Sequence, residues 1–195
     1  MGTASPLTPE REATLLAAIR GPSDAERQAA LQALFEAFHR PLLGLCAHQT
    51  ADRAEAEDAL QETFLALHKA LPGFRGEAQL STWVYRIALR TVLHVRARRS
   101  RDTAPLDATS PALAVPDEAV SADRVAAARQ ESARLAQAME TLSSEHRAVL
   151  SLFAVEGLSH AEVAATLGIP LGTVWSRLHL ARKKLVAALD SQNSK

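Results

Sequence analysis

The chain has 195 residues, of which 47% are hydrophobic and 23% charged, and its formal net charge is zero. That make-up belongs to a folded globular protein with room for one large core or two small ones. A lone cysteine, Cys46, excludes an internal disulfide. No apolar run approaches the roughly 18 residues that cross a bilayer, so membrane insertion is not expected. The first ten residues lack the basic-then-apolar order of a secretion signal, and the expected location is the cytoplasm.

Helical signals run through most of the chain. Thr8 is a candidate N-cap, with Pro9 at the first helical position and Glu10 and Glu12 in the first turn. Gly21-Pro22 breaks the chain, and Leu31, Leu34, Phe35, Phe38 and Leu42 then repeat at helical spacing, with Pro41 marking a kink or boundary. Asp52 caps a helix whose apolar stripe is Leu60, Phe64, Leu67 and Leu71, and Pro72-Gly73 ends it. Ser81 is assigned as the cap of the next helix, with Val84, Ile87, Ala88, Thr91, Val92 and Val95 inward. Residues 102–122 hold Pro105, Pro111 and Pro116 among Ala, Thr, Ser and Asp, the composition of a linker. Helical patterning resumes near Asp123, and three further helices are expected at about 144–155, 160–167 and 171–189. The predicted fold class is all-α: two small helical domains, 22–101 and 123–190, joined by a flexible acidic linker at 102–122.

The zero net charge conceals segregation. Residues 78–101 contain no acid but carry Arg86, Arg90, Arg96, Arg98, Arg99 and Arg101. Residues 163–189 are again free of acid and carry Arg177, Arg182, Lys183 and Lys184, whereas the linker between is acidic. Local fields decide binding, so two basic blocks point to a polyanion.

The second block has further structure. Ser159-His160-Ala161-Glu162 reads as a capping box opening a short helix, Gly168-Ile169-Pro170 as a tight turn, and the segment from Gly172 as a long basic helix. This order is that of a helix-turn-helix, whose second helix enters the DNA major groove. Val174, Leu178, Ala181 and Leu185 would face inward, and Trp175, Ser176, His179 and Arg182 outward, with Arg177, Lys183 and Lys184 nearer the phosphates. A helical hairpin with a solvated cationic face has the same local signals.

Three segments resemble one family. Asp58-Ala59-Leu60-Gln61-Glu62-Thr63-Phe64 is similar to its D-x-x-Q-x-x-F helix, Ser81-Thr82-Trp83-Val84-Tyr85-Arg86-Ile87-Ala88 to its adjoining W-L-x-x-I-A segment, and Gly168 through Leu185 to its G-I-P-x-G-T-V-x-S-R-L-x-x-A-R-x-x-L run. The family is that of the extracytoplasmic-function (ECF) sigma factors of bacterial RNA polymerase, and the resemblance covers residues 25–190. It implies a sigma factor that directs core RNA polymerase to promoter DNA, recognises −35 and −10 elements, melts the latter and answers to an anti-sigma factor. It implies that Asp58, Gln61, Glu62 and Phe64 dock on core polymerase, with Phe64 on its own pattern read first as core and Gln61 and Glu62 as interface. It places −10 DNA on Phe74, Arg75, Trp83, Tyr85, Arg86, Arg90, Arg96 and Arg98, where each aromatic could instead be core. It places −35 DNA on Thr173, Trp175, Ser176, Arg177, His179, Leu180, Arg182 and Lys183.

The sequence departs from the family pattern at Arg90 and His94, where asparagine and aspartate are common, and at Trp175 and Leu180, where basic residues are. The alternative reading is a stand-alone helix-turn-helix transcriptional regulator. No enzyme, cofactor or metal site is expected: His39, Cys46 and His48 lack a fourth ligand and match no zinc spacing, and no nucleophile triad or phosphate loop stands out.

Overall fold

The computed structural model describes residues 6–50, 52–102 and 122–193, all-helical with no strand among them. The predicted acidic linker lies almost wholly outside the described residues.

The first unit is built of α1 (Pro9–Arg20), α2 (Asp24–Gln49), α3 (Arg53–Ala70) and α4 (Leu80–Asp102). Thr8 caps α1 by accepting from the Arg11 amide, and Asp52 caps α3 by accepting from the Glu55 amide at 2.8 Å. The Gly21-Pro22 turn is clasped by Arg27, which donates to the carbonyls of Ile19 and Gly21. Pro41 does not end its helix: α2 continues through it. A helix-interior proline costs about 3 kcal/mol. Leu34, Phe38, Leu42 and Leu45 are all buried on one face across that point, and each such side chain returns about 1.5–3 kcal/mol.

The start of α4 differs from expectation. Ser81 is not the cap; it lies inside the helix and is buried. The Leu80 amide instead donates to Glu12 Oε1 of α1 at 2.8 Å. A carboxylate from a distant helix thus satisfies an orphan first-turn amide. Glu12→Ala should therefore lower stability by about 1 kcal/mol, read as a shift in the urea midpoint at unchanged m. An unaltered midpoint would mean that water replaces the carboxylate.

The second unit contains α5 (Ala122–Glu140), α6 (Ser144–Leu150), a π-type turn (Ser151–Val155), α7 (His160–Leu167) and α8 (Leu171–Asn193). Arg147 is its internal fastener. Only 3% exposed, it donates to the carbonyls of Met139, Glu140 and Leu142 at the end of α5. Burial pushes its pKa down to about 10, so it stays charged at neutral pH.

The two units are packed together. α7 lies against α4, while α6 and the π-type turn lie against α2. One apolar cluster runs through both, from Phe38, Leu42 and Val84 to Leu150, Leu152 and Val163.

Candidate nucleic-acid and polymerase interfaces

The helix-turn-helix forms from local chemistry. The Glu162 amide donates to Ser159 Oγ at 3.2 Å, and the Ser159 amide donates back to Glu162 Oε2 at 2.7 Å, completing the capping box. Gly168 ends α7 at φ +65°, a left-handed conformation that other residues adopt at a cost of about 1–2 kcal/mol. Val174, Leu178 and Ala181 of α8 are buried and Leu185 is half-buried. Trp175, Ser176, His179, Leu180, Arg182 and Lys183 face solvent, and Thr173 is half-buried beside them. Arg177 is half-buried and pairs with Glu145 at 2.9 Å. It braces α8 against α6 in this conformation.

The exposed aromatic on α8 is held from one side. The Trp175 ring stacks on His160 with centroids 4.0 Å apart and planes 10° apart. His160 in turn meets Phe153 at 4.5 Å, and the Arg182 guanidinium lies 5.2 Å from the Phe153 centroid. Trp175 remains 57% exposed, so its outer face is open at a fixed angle. Sequence reasoning missed His160 and Phe153, since the three rings come from three separate elements and share no period.

In the first unit, Phe74 and Trp83 pack together with ring centroids 5.0 Å apart; Phe74 is buried and Trp83 half-buried. Arg75, Arg86 and Arg90 are exposed, whereas Arg96 is half-buried. Arg90 and His94 border a shallow groove with Ala66 and Ala70.

Tyr85 and part of the arginine block have partners within the chain. Tyr85 offers no stacking surface here. It is 2% exposed, its ring edge meets Phe38, and its hydroxyl donates to Glu156 Oε2 of the second unit at 2.9 Å. Nor are all arginines of α4 unopposed. Arg98 pairs with Glu62 at 2.7 Å, and Arg99 with Asp58 at 3.3 Å and Asp52 at 3.7 Å. Basic and acidic segments that look separate in sequence are adjacent because α3 packs on α4.

The side of α3 turned toward α2 makes an open groove with it, about 1140 Å³ in volume, lined by Leu31, Phe35, His39, Gln61, Phe64 and Leu65 among others. Phe64 is half-buried, with its ring 4.1 Å from that of Phe35. Gln61 and Asp58 are exposed, and Leu65 is 61% exposed. Sequence reasoning did not single out Leu65. Leucine is ordinarily assigned inward, and this one stands beside the inward stripe rather than on it.

Comparisons with known proteins agree with this division. Residues 34–102 match the family model for Sigma-70 region 2, and residues 132–185 that for Sigma-70 region 4. The RNA polymerase sigma-H factor of Pseudomonas aeruginosa is 31% identical over 160 residues, covering 78% of this chain and 82% of that one. The ECF RNA polymerase sigma factor SigE of Mycolicibacterium smegmatis is 33% identical over 122 residues, 57% of this chain and 43% of its own. The structure of CnrH in complex with the cytosolic domain of CnrY superposes with a TM-score of 0.69 at 27% identity, covering 93% of this chain and 98% of that one. The sigma factor RpoE of Bartonella quintana, solved with the anti-sigma factor NepR, shares the fold at a TM-score of 0.63 and 21% identity, over 82% of this chain and 96% of that one. With both regions matched in order and a relative 31% identical over 78% of this chain and 82% of its own length, the chain belongs to the sigma-70 family, in its ECF group.

Proposed function

We propose that the chain is a promoter-specificity subunit that binds core RNA polymerase, directs it to promoters and carries out no bond chemistry itself. The observation that carries this reading is the pairing, in one chain, of a helix-turn-helix with a solvent-facing polar helix and an exposed apolar groove on a separate unit. A regulator that binds DNA alone has no use for the second.

The α2–α3 groove is the polymerase-docking face, with Gln61 and Phe64 in it and Asp58 and Glu62 at its flank. Apolar anchors rimmed by polar groups are the usual form of such a surface. Phe74, Arg75, Trp83, Arg86, Arg90, Arg96 and Arg98 take the −10 strand, through aromatic packing and phosphate contacts. Tyr85 joins them once it is uncovered. Arg98, paired with Glu62, lies between the two surfaces. On α8, Ser176, His179 and Arg182 face base edges, Trp175 and Leu180 favour thymine methyls, and Thr173, Arg177 and Lys183 hold the backbone. Solved relatives are complexes with CnrY and with the anti-sigma factor NepR. A protein of the anti-sigma class is accordingly a partner of this chain.

Mixing the purified chain with core RNA polymerase and following co-elution by size exclusion tests the docking assignment. The wild type should co-elute, and Gln61→Ala with Glu62→Ala should weaken the complex. Absence of a complex with folded protein would remove the reading. A finer expectation concerns Lys183. If it contacts phosphate, Lys183→Ala should lower the salt slope of promoter binding by about 1 without changing sequence preference.

A further inference from the structure

Helix α1 carries none of the residues assigned to polymerase or DNA, but it holds the loop that carries two of them. That loop, residues 74–80, joins the turn Leu71–Gly73 to α4 and contains Phe74 and Arg75 of the −10 assignment. At its far end the Leu80 amide donates to Glu12 Oε1 at 2.8 Å. At its near end the Phe74 carbonyl accepts from Arg20 Nη2 at 2.9 Å. Glu12 and Arg20 stand about 12 Å apart along α1. A single helix thus holds both ends of the loop at a set separation.

The helix can act as a strut because it is itself fixed. Thr8 caps its start, and Leu15 and Ile19 are buried on its inner side. At its end Arg27 of α2 donates to the carbonyls of Ile19 and Gly21. The loop bends at Gly76, where φ is +80°, a left-handed conformation that glycine adopts without steric cost. The Arg20 guanidinium runs beside that bend: a side-chain carbon at Gly76 would stand 3.8 Å from Arg20 Nη2. Arg20 therefore meets the loop at two points.

Between the loop and α4 lies a hollow of about 330 Å³, bordered by Phe74, Arg75, Glu77, Trp83 and Arg86. Phe74 and Trp83 pack ring against ring, while Arg75, Glu77 and Arg86 are exposed around them. Aromatic surfaces with cations at the rim suit an unpaired base and its phosphate. Three of these five side chains sit on the loop, so their places depend on the course of its backbone.

We propose that Glu12 and Arg20 are positioning residues, through which α1 holds the 74–80 loop in the shape that receives the opened −10 strand. The role rests on the assignment of Phe74, Arg75, Trp83 and Arg86 to that strand; the clamp itself does not. Ordering a loop costs conformational entropy residue by residue. A loop ordered in advance leaves that cost out of the step in which DNA opens. Loosening the clamp should therefore slow opening while leaving the docking groove and the helix-turn-helix intact.

The test has two arms, both on the full chain at a temperature where every variant is folded. The first is amide hydrogen exchange of the free chain, read by mass spectrometry. In the double variant Glu12→Ala, Arg20→Ala, residues 74–80 should exchange at least ten-fold faster than in wild type. Glu12→Gln keeps an acceptor oxygen and should exchange as wild type does. The second arm uses holoenzyme reconstituted with core polymerase, on a duplex fragment carrying a start site mapped with the wild-type chain. Permanganate reactivity of unpaired thymines follows opening. The double variant should co-elute with core polymerase as wild type does and open the fragment about ten-fold more slowly, at an unchanged salt slope of binding. Glu12→Gln should open it at the wild-type rate. Should the double variant fail to fold, Arg20→Ala takes its place, since that side chain is exposed. Unchanged exchange in the loop would overturn the proposal, and so would faster exchange with wild-type opening. A salt slope lower by about 1, with the loop exchanging as in wild type, would make Arg20 a phosphate contact instead. A wild type that neither binds core polymerase nor opens DNA would remove the functional reading and the positioning role with it, while the exchange arm would still report the clamp.

Discussion

Leu65→Asp should cut affinity for core polymerase by about ten- to a hundred-fold, which is about 1.4–2.8 kcal/mol. The side chain is 61% exposed at the mouth of the α2–α3 groove, so the free chain loses little by the change, and its melting curve should hardly move. In the complex, the same carboxylate would be desolvated against an apolar contact without a partner, and burying an unpaired charge is costly. Titration of labelled core polymerase with both proteins reads the difference directly. Phe64→Ala is a less specific probe. Its ring packs on Phe35 within the first unit, so it should lower stability and affinity together. If Leu65→Asp bound as tightly as wild type, the polymerase would have to dock elsewhere, and the open groove would need another occupant.

Arg147→Ala should destabilise the second unit by about 3 kcal/mol or more. The guanidinium donates to the carbonyls of Met139, Glu140 and Leu142. Each carbonyl left buried without a donor costs about 1–3 kcal/mol. Arg147→Lys should recover only part of the loss, because an ammonium cannot present the planar fork that reaches several acceptors at fixed angles. Urea unfolding followed by far-ultraviolet circular dichroism gives both values. A loss below about 1 kcal/mol for the alanine variant would show that water can satisfy the end of α5. This side chain also lies near the like charge of Arg96 on α4 of the first unit. The alanine variant should consequently relieve like-charge repulsion between the units while weakening the unit that carries it.

The helix-turn-helix was legible from sequence because every signal for it is local. Ser159 and Glu162 lie one turn apart, Gly168 supplies the left-handed residue, and Val174, Leu178 and Ala181 repeat at helical spacing. The helices of the first unit were legible for the same reason, down to the caps at Thr8 and Asp52. What sequence did not show depends on pairs far apart in the chain. Glu12 meets the Leu80 amide, Asp58 and Glu62 meet Arg99 and Arg98, and Tyr85 meets Glu156. None of these has a periodic or spacing signature. An arginine-rich segment read alone calls for a polyanion, yet part of its charge is met by α3. Pro41 went the other way: a strong local breaker was overruled by the apolar face that α2 buries on both sides of it.

Promoter choice is where the local departures bear on function. Trp175 is fixed by His160 with its outer face open, and Leu180 is exposed nearby on α8. Apolar groups in the groove read thymine methyls rather than guanine edges, so the upstream element should be richer in A·T than a basic recognition helix would select. In vitro transcription of fragmented genomic DNA from the source organism, with core polymerase and with or without the chain, followed by mapping of RNA 5′ ends, tests the central claim most directly. The chain should create a new set of start sites preceded by two recurrent elements, near −35 and −10. A set of starts identical to that of core polymerase alone would contradict its assignment as a promoter-specificity subunit.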